Sequence, residues 1–388
     1  MARHEPEPVL RHLLYLLRRR VPVAQQKGVK SWRAPGRVNL IGEHTDYNEG
    51  FVMPIAIQLG CTITATPLDE PVIEAVSKQL DGVQRWAIDE IPTLQPAKSW
   101  GDYVSGVAKE LATAGYDLRP MRLDIDATVP TGSGLSSSAA LEVATALALL
   151  DGRPIGKIEL ARLCQRAERN HVGMPCGIMD QYASVFGEHH AAILLDCRTQ
   201  THRRVPLPDS IEMVAVNTMV KHELGSSAYR TRVAECAEAL SHFPGKSALR
   251  DVTLGDLERE ASNIAETPLA RARHVVLEDW RVEQFLDAAQ SSGLARMGQL
   301  FVESHRSLQH DYAVSCEELD FLVDTALTID GVHGARMTGG GFGGCTVNLV
   351  DKAAIPAFSA EITARYHQRY GLTPTIIRCV PSPGAGPA

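Results

Sequence analysis

The stretch VPTGSGLSSSAA at residues 129–140 constrains the fold more than any other part of the chain. Gly132 and Gly134 let the backbone turn tightly and leave room for a ligand against the main chain, because neither carries a Cβ. Ser136, Ser137 and Ser138 follow. The run LEVATALALL at 141–150 then predicts a long helix of strong helix formers. Serine is a poor residue inside a helix and a good one at its start. The free N–H groups of a helix start, with the helix dipole, make a site for an anion. An ordinary capped turn is the alternative. The segment lacks the lysine of G-x-x-x-x-G-K-[ST] and the third glycine of G-x-G-x-x-G, so it is neither a Walker loop nor a dinucleotide fingerprint.

Around this loop, strand and helix signals mix without strict alternation, which predicts an α+β fold. Residues 51–66 are rich in β-branched side chains, and 72–77 and 83–88 read as a strand pair around Asp81-Gly82. A strand is predicted over 119–128, where Met121, Leu123 and Ile125 alternate. Helices are predicted over 8–20, 100–115 and 157–171. Strands follow at 191–196 and 211–217, and helix dominates 225–330. A second glycine cluster, GGGFGG, lies within 333–350 and precedes the apolar strand TVNLV. Helix 353–370 and strand 374–380 come last, and the tail PSPGAGP is too rich in proline and glycine for regular structure.

A chain of 388 residues exceeds the size at which one core stops growing, so two domains are expected, 1–190 and 191–388. The formal charge of −7 argues against a general nucleic-acid binder, which needs a basic face. No stretch of about 18 apolar residues predicts a membrane span. The start MARHEPEPVL lacks the apolar core of a secretion signal. None of the eight cysteines falls in a C-x-x-C pair, which suits free thiols in a reducing cytoplasm. The fourteen histidines include no H-E-x-x-H and no other pair on one helix face, so no metal–histidine site is expected.

Three more segments carry candidate chemistry. In APGRVNLIGEHTDYNEG at 34–50, Arg37 follows a Pro-Gly turn, and Glu43, His44 and Asp46 crowd between two apolar runs. Carboxylates so placed suit several hydroxyls of one sugar, or simply a solvated loop. In ERNHVGMPCGIMDQY at 168–182, Glu168 sits at a helix end and Asp180 follows a turn. Asp180 is either a helix cap or a catalytic carboxylate. In RMTGGGFGGCTVNLV at 336–350, five glycines in six residues mark a flexible turn or a close approach to a ligand.

Four of these segments together resemble the galactokinases, a family of the GHMP kinases that also include homoserine, mevalonate and phosphomevalonate kinases. GRVNLIGEHTDYNEG at 36–50 is similar to the galactokinase signature, and PTGSGLSSSAALEVA at 130–144 to the superfamily's ATP loop. GMPCGIMDQ at 173–181 and MTGGGFGGCTVNLV at 337–350 are similar to the two remaining family segments. The resemblance covers roughly residues 30–380. It implies two α+β domains with the active site between them, the second carrying the glycine-rich segment 339–344. It also implies transfer of the ATP γ-phosphoryl group to the anomeric hydroxyl of α-D-galactose.

By position, the resemblance makes Arg37 and Asp180 the catalytic pair. Glu43, His44, Asp46, Gly177, Tyr229 and Gly340 would hold the sugar. Gly132, Gly134, Ser136, Ser137 and Ser138 would cradle the ATP phosphates, with Ser138 and Glu168 near Mg²⁺. Trp100 would stack on adenine or pack in the core. The partners expected are galactose and ATP, with no nucleic acid and no membrane. An N-acetylgalactosamine kinase and a non-catalytic galactose and ATP sensor remain as alternatives.

Overall fold

In the computed structural model, which describes residues 28–221 and 225–388, the alternation at Met121, Leu123 and Ile125 buries these three side chains on one face of the strand Met121–Ala127. That strand belongs to a six-stranded sheet. Its order is Gly386–Pro387, Lys30–Asn39, Pro54–Pro67, Met121–Ala127, Val72–Ser77 and Val83–Ala87. The tail therefore does form structure: Gly386 and Pro387 pair with Arg33 and Trp32. Proline is tolerated there because the pairing is at the sheet edge. The helix expected over 8–20 lies outside the described residues.

Helix Ser137–Leu150 starts at the serines, four residues ahead of the apolar run, and is buried on nearly every side. Its alanines let it lie close to strands Lys30–Asn39 and Pro54–Pro67. Helix Lys157–Arg166 continues as one π-helical turn, Ala167–Val172, and helix Met179–Phe186 follows it. That last helix was not separated from its neighbours in the sequence, nor was the strand Thr201–Pro206. The latter pairs with Ala191–Asp196, which in turn pairs with Phe51–Val52.

A four-stranded antiparallel sheet forms the second half, in the order Val332–Thr338, Gly343–Asp351, Ile211–Lys221 and Thr375–Cys379. Helices Glu317–Ala326 and Ile355–Tyr370 cover one face through Leu322, Val323, Phe358 and Ile362. The other face joins Phe285 and Phe301, from helices Glu266–Gln290 and Leu294–His310, to Val38, Leu40 and Ile41 at the end of the first strand. One core thus spans both halves and holds the 39–50 loop between them. Among the described residues no helix is long and apolar enough to cross a membrane.

Helix Leu294–His310 rides directly on the strand Val332–Thr338. A Cβ on Gly298 would overlap the His333 carbonyl. Alanine improves helix propensity by about 1 kcal/mol. Backbone overlap in a packed core outweighs that gain, so Gly298→Ala should lower stability by about 1–3 kcal/mol. Thermal unfolding of the variant checks this, and an unchanged or higher Tm would show that the strand gives way freely.

Candidate active site

Three distant segments converge on one ion pair. Arg37 lies on the strand Lys30–Asn39 and is 4% exposed. Its Nε donates to Asp180 Oδ1 at 2.9 Å, and its Nη1 donates to the Gly134 carbonyl at 2.6 Å. Ser136 Oγ donates to the other carboxylate oxygen, Asp180 Oδ2, at 2.5 Å. Burial works against the Arg37 charge, but Asp180, with Glu43, outweighs it and holds the guanidinium above its usual range. Asp180 is the second residue of its helix and caps nothing: the preceding Ile178 is the cap position, with no side-chain bond.

Ser136 adopts the left-handed conformation (φ 60°), and no side chain caps helix Ser137–Leu150. The first-turn N–H groups are left for an acceptor outside the helix. Ser137 and Ser138 face the same cavity. Across it, Gly339 approaches Gly134 so closely that a Cβ would stand 2.7 Å from the Gly134 carbonyl oxygen. The two glycine clusters therefore meet backbone to backbone, as close approach requires.

The cavity holds about 640 Å³ and is lined from one end to the other by the residues the sequence singled out. Glu43, His44, Asp46, Gly177, Tyr229 and Gly340 line it, and so do Gly132, Gly134, the three serines, Glu168 and Trp100; Asp46 touches Gly177, and Tyr229 lies against His44 and Gly340. Trp100 packs against the core and also lines the cavity. Gly177 is glycine for a steric reason, since a Cβ would run into the Asp46 carboxylate.

Glu43 is almost fully committed. Its Oε1 accepts from Thr338 Oγ1 at 3.0 Å and Gly339 N at 2.8 Å, and lies 3.5 Å from Arg336 Nη1. Burial raises the Glu43 pKa while Arg336 and Arg37 pull it down. Arg336 is wholly buried, and its Nη1 donates to the Leu40 carbonyl at 2.7 Å. His44 Nδ1 meets the Tyr47 hydroxyl at 2.8 Å, and burial depresses the imidazole pKa to about 3. Asp46 is pushed up to about 7 by burial and by Asp180 and Glu43.

Near the serines, Ser138 hydrogen-bonds Glu168, whose pKa burial and Asp180 raise. Gln181 Nε2 donates to Glu168 Oε2 at 2.6 Å and to Glu142 Oε2 at 3.0 Å. Gln181, Glu142 and Arg336 are the participants that sequence reasoning missed. The available signal was a charged residue, Arg336, beside apolar Met337 in a strand pattern, and a glutamine next to Asp180. Among the described residues no group of three or more His, Cys, Asp or Glu forms a metal cage. The donors at Ser138 and Glu168 are hard oxygens, which fit an ion that completes its shell with phosphate oxygens.

Two glycine loops around an uncapped helix start, bonded to a part-buried arginine–carboxylate pair, are the site of a GHMP kinase. Residues 102–188 match the GHMP kinases N terminal domain, and residues 285–368 match the GHMP kinases C terminal model. Residues 24–67 match the galactokinase galactose-binding signature. The galactokinase of Roseiflexus sp. (strain RS-1) is 44% identical over 360 residues, 91% of this chain and 92% of that one. The galactokinase of Thermosipho africanus is 40% identical over 355 residues, 91% of this chain and 98% of that one.

The chain belongs to the galactokinase family and is an ATP-dependent sugar kinase. The structure of Lactococcus lactis galactokinase complexed with galactose superimposes with a TM-score of 0.90, at 35% identity, over 98% of this chain and 100% of that one. Methanococcus jannaschii mevalonate kinase shares the fold at a TM-score of 0.65 and 17% identity, over 93% of this chain and 100% of that one.

The Asp46 carboxyl gives a test of this electrostatic picture. Its folded pKa of about 7 stands above its ordinary value of 3.8, so the stability this group contributes is full below pH 3.8 and lost as pH rises through 7. Asp46→Asn escapes that loss. The stability of the variant relative to wild type should therefore grow from pH 5 to pH 8, by roughly 1–3 kcal/mol. Urea unfolding at the two pH values checks the sign, and a constant difference would mean Asp46 is ionised throughout.

Proposed function

We propose that the protein phosphorylates galactose at its anomeric hydroxyl, with the sugar at the Glu43–Asp46 end of the cavity and the ATP phosphates at the serine loop. The observation that carries this reading is the position of Asp180: held by Arg37 and Ser136, it is near enough to act electrostatically on both Asp46 and Glu168. His44, Asp46, Tyr229 and Gly340 surround the sugar, and Gly177 gives Asp46 its place. Glu43 presents Oε2 to the sugar while Oε1 clamps the 338–339 backbone. The helix N–H groups, with Gly132, Gly134, Ser136, Ser137 and Ser138, receive the phosphates, and Trp100 stacks on the adenine.

The sugar oxygen attacks the γ-phosphorus, its proton passes to Asp180 Oδ, and the bond to the ADP oxygen breaks. Arg37 keeps Asp180 oriented and supplies positive charge beside the moving group. Mg²⁺, held by Ser138 and Glu168, would neutralise charge on the phosphate oxygens. Gln181 and Glu142 keep Glu168 turned toward that place. We also assign residues 1–190 and 191–388 to two domains and the protein to the cytoplasm, where its unpaired thiols stay reduced.

The test is ADP release with galactose, N-acetylgalactosamine and glucose in parallel, on wild type and Asp180→Asn. Polar groups built around one hydroxyl are left unpaired when that hydroxyl is inverted or replaced, so galactose should lead by a wide margin. In the variant kcat should fall roughly 10²–10⁴-fold, with sugar and ATP affinity changed far less. Equal rates with N-acetylgalactosamine would reassign the substrate, and a near wild-type variant would remove Asp180 from the chemistry.

A further inference from the structure

Behind His44 runs a chain of hydrogen bonds that the reaction itself does not need. His44 Nδ1 meets Tyr47 Oη at 2.8 Å, Tyr47 Oη meets Tyr312 Oη at 2.6 Å, and Tyr312 Oη meets Cys236 Sγ at 3.1 Å. Tyr47 is half-buried; His44, Tyr312 and Cys236 are 4%, 0% and 3% exposed. Tyr312 also packs against the His44 ring at 4.7 Å between centroids, so the imidazole cannot swing away. Its other nitrogen, Nε2, is buried and makes no hydrogen bond of full geometry, although the Gly340 backbone acts on the ring and His44 lines the cavity. A buried ring nitrogen without a full hydrogen bond, in a cavity wall, is open to an acceptor that enters the cavity.

The protons of this chain can be counted. Burial lowers the His44 pKa to about 3 and raises that of Cys236 to about 11, and both phenols are pushed up. At neutral pH each of the four groups therefore carries one proton. Three bonds use three protons, and the fourth is left at one end. Were the bonds to run from His44 toward Cys236, the surplus would be the thiol hydrogen. Among the described residues Sγ has two hydrogen-bond partners, the Tyr312 hydroxyl and the Asn48 amide, which donates to it at 3.7 Å. The thiol hydrogen would then have no acceptor. Run the other way, the thiol donates to Tyr312, Tyr312 to Tyr47, and Tyr47 to His44 Nδ1. The surplus then sits on His44 Nε2, on the ring that the Gly340 backbone favours as a donor, and not on the thiol.

We propose that Cys236, Tyr312 and Tyr47 form a directed relay that fixes His44 as its Nε2–H tautomer, so that His44 donates a hydrogen bond to an oxygen of the bound sugar. The three are positioning residues that act through His44. The proposal rests on the sugar-site reading above in one respect only, the identity of the acceptor; the tautomer belongs to the free protein. It also makes the site selective for an acceptor oxygen at one position of the sugar, because a neutral imidazole with this tautomer offers no lone pair there.

The test has two independent parts. Long-range ¹H–¹⁵N correlation of the sugar-free protein, with the His44 signals assigned by their loss in His44→Gln, should show the proton on Nε2. In Tyr47→Phe the two tautomers should mix. A proton on Nδ1 in wild type would overturn the proposal, whatever the substrate. Galactose binding measured without ATP should weaken roughly 5–30-fold in Tyr47→Phe, the size of one oriented hydrogen bond, while the ATP KM stays within about twofold. The same comparison with galactoses lacking each hydroxyl in turn should give a factor near one for a single analogue, the one missing the oxygen that His44 meets. An equal loss for every analogue would mean that Tyr47 only supports the loop. Should wild type prefer another sugar while the tautomer is as stated, the substrate assignment fails and the relay stands.

Discussion

Arg37 is shut away from water and directs its N–H groups at two partners, the Asp180 carboxylate and the Gly134 carbonyl. These partners lie 143 and 97 residues away in the chain. The strand that opens the first sheet, the glycine–serine loop and the helix Met179–Phe186 are thereby fixed at one point. Burying Arg37 costs desolvation, and removing its partner would leave that buried charge uncompensated. The pair is retained at that cost because the position serves chemistry: a carboxylate held on one side by a cation and on the other by Ser136 has its geometry set before substrate arrives.

A second buried cation does the same for the sugar loop. Arg336 reaches back from the strand Val332–Thr338 to the Asn39 and Leu40 carbonyls and stands between Glu43 and Glu278. Glu278 in turn accepts from the Gly42 amide and Ser304 and pairs with Arg281, so its pKa, despite burial, falls to about 2. The loop that would recognise the sugar thus belongs to both halves of the molecule. Small movements between the halves would be felt at Glu43 directly, because its Oε1 is bonded to Thr338 and Gly339.

Much of this is legible in the sequence, and the limits have physical reasons. The strands at 72–77 and 121–127 show themselves by alternation, since one face is buried and the other meets water. The helix start at Ser137 shows itself through serines that would be costly further in. By contrast, Thr201–Pro206 is polar on both faces over most of its length and offers no alternation. The Gly386–Pro387 pairing depends on a sheet edge that only the folded chain provides. Local pattern names Arg37 and Asp180 as polar residues in unusual settings, but that they touch is a fact of topology. The tyrosine relay is harder still: Tyr47, Tyr312 and Cys236 look like ordinary amphipathic residues until their hydroxyls and thiol are seen in line.

The central claim is that Arg37 and Asp180 act as one unit. A double-mutant cycle on kcat measures this directly, with Arg37→Gln, Asp180→Asn and the two combined. If the arginine works by holding and charging the carboxylate, the double variant should be hardly slower than Asp180→Asn alone, within about tenfold, although each single change is severe. Penalties that simply multiply would contradict the account, because they would mean the two residues contribute separately and the ion pair is only structural.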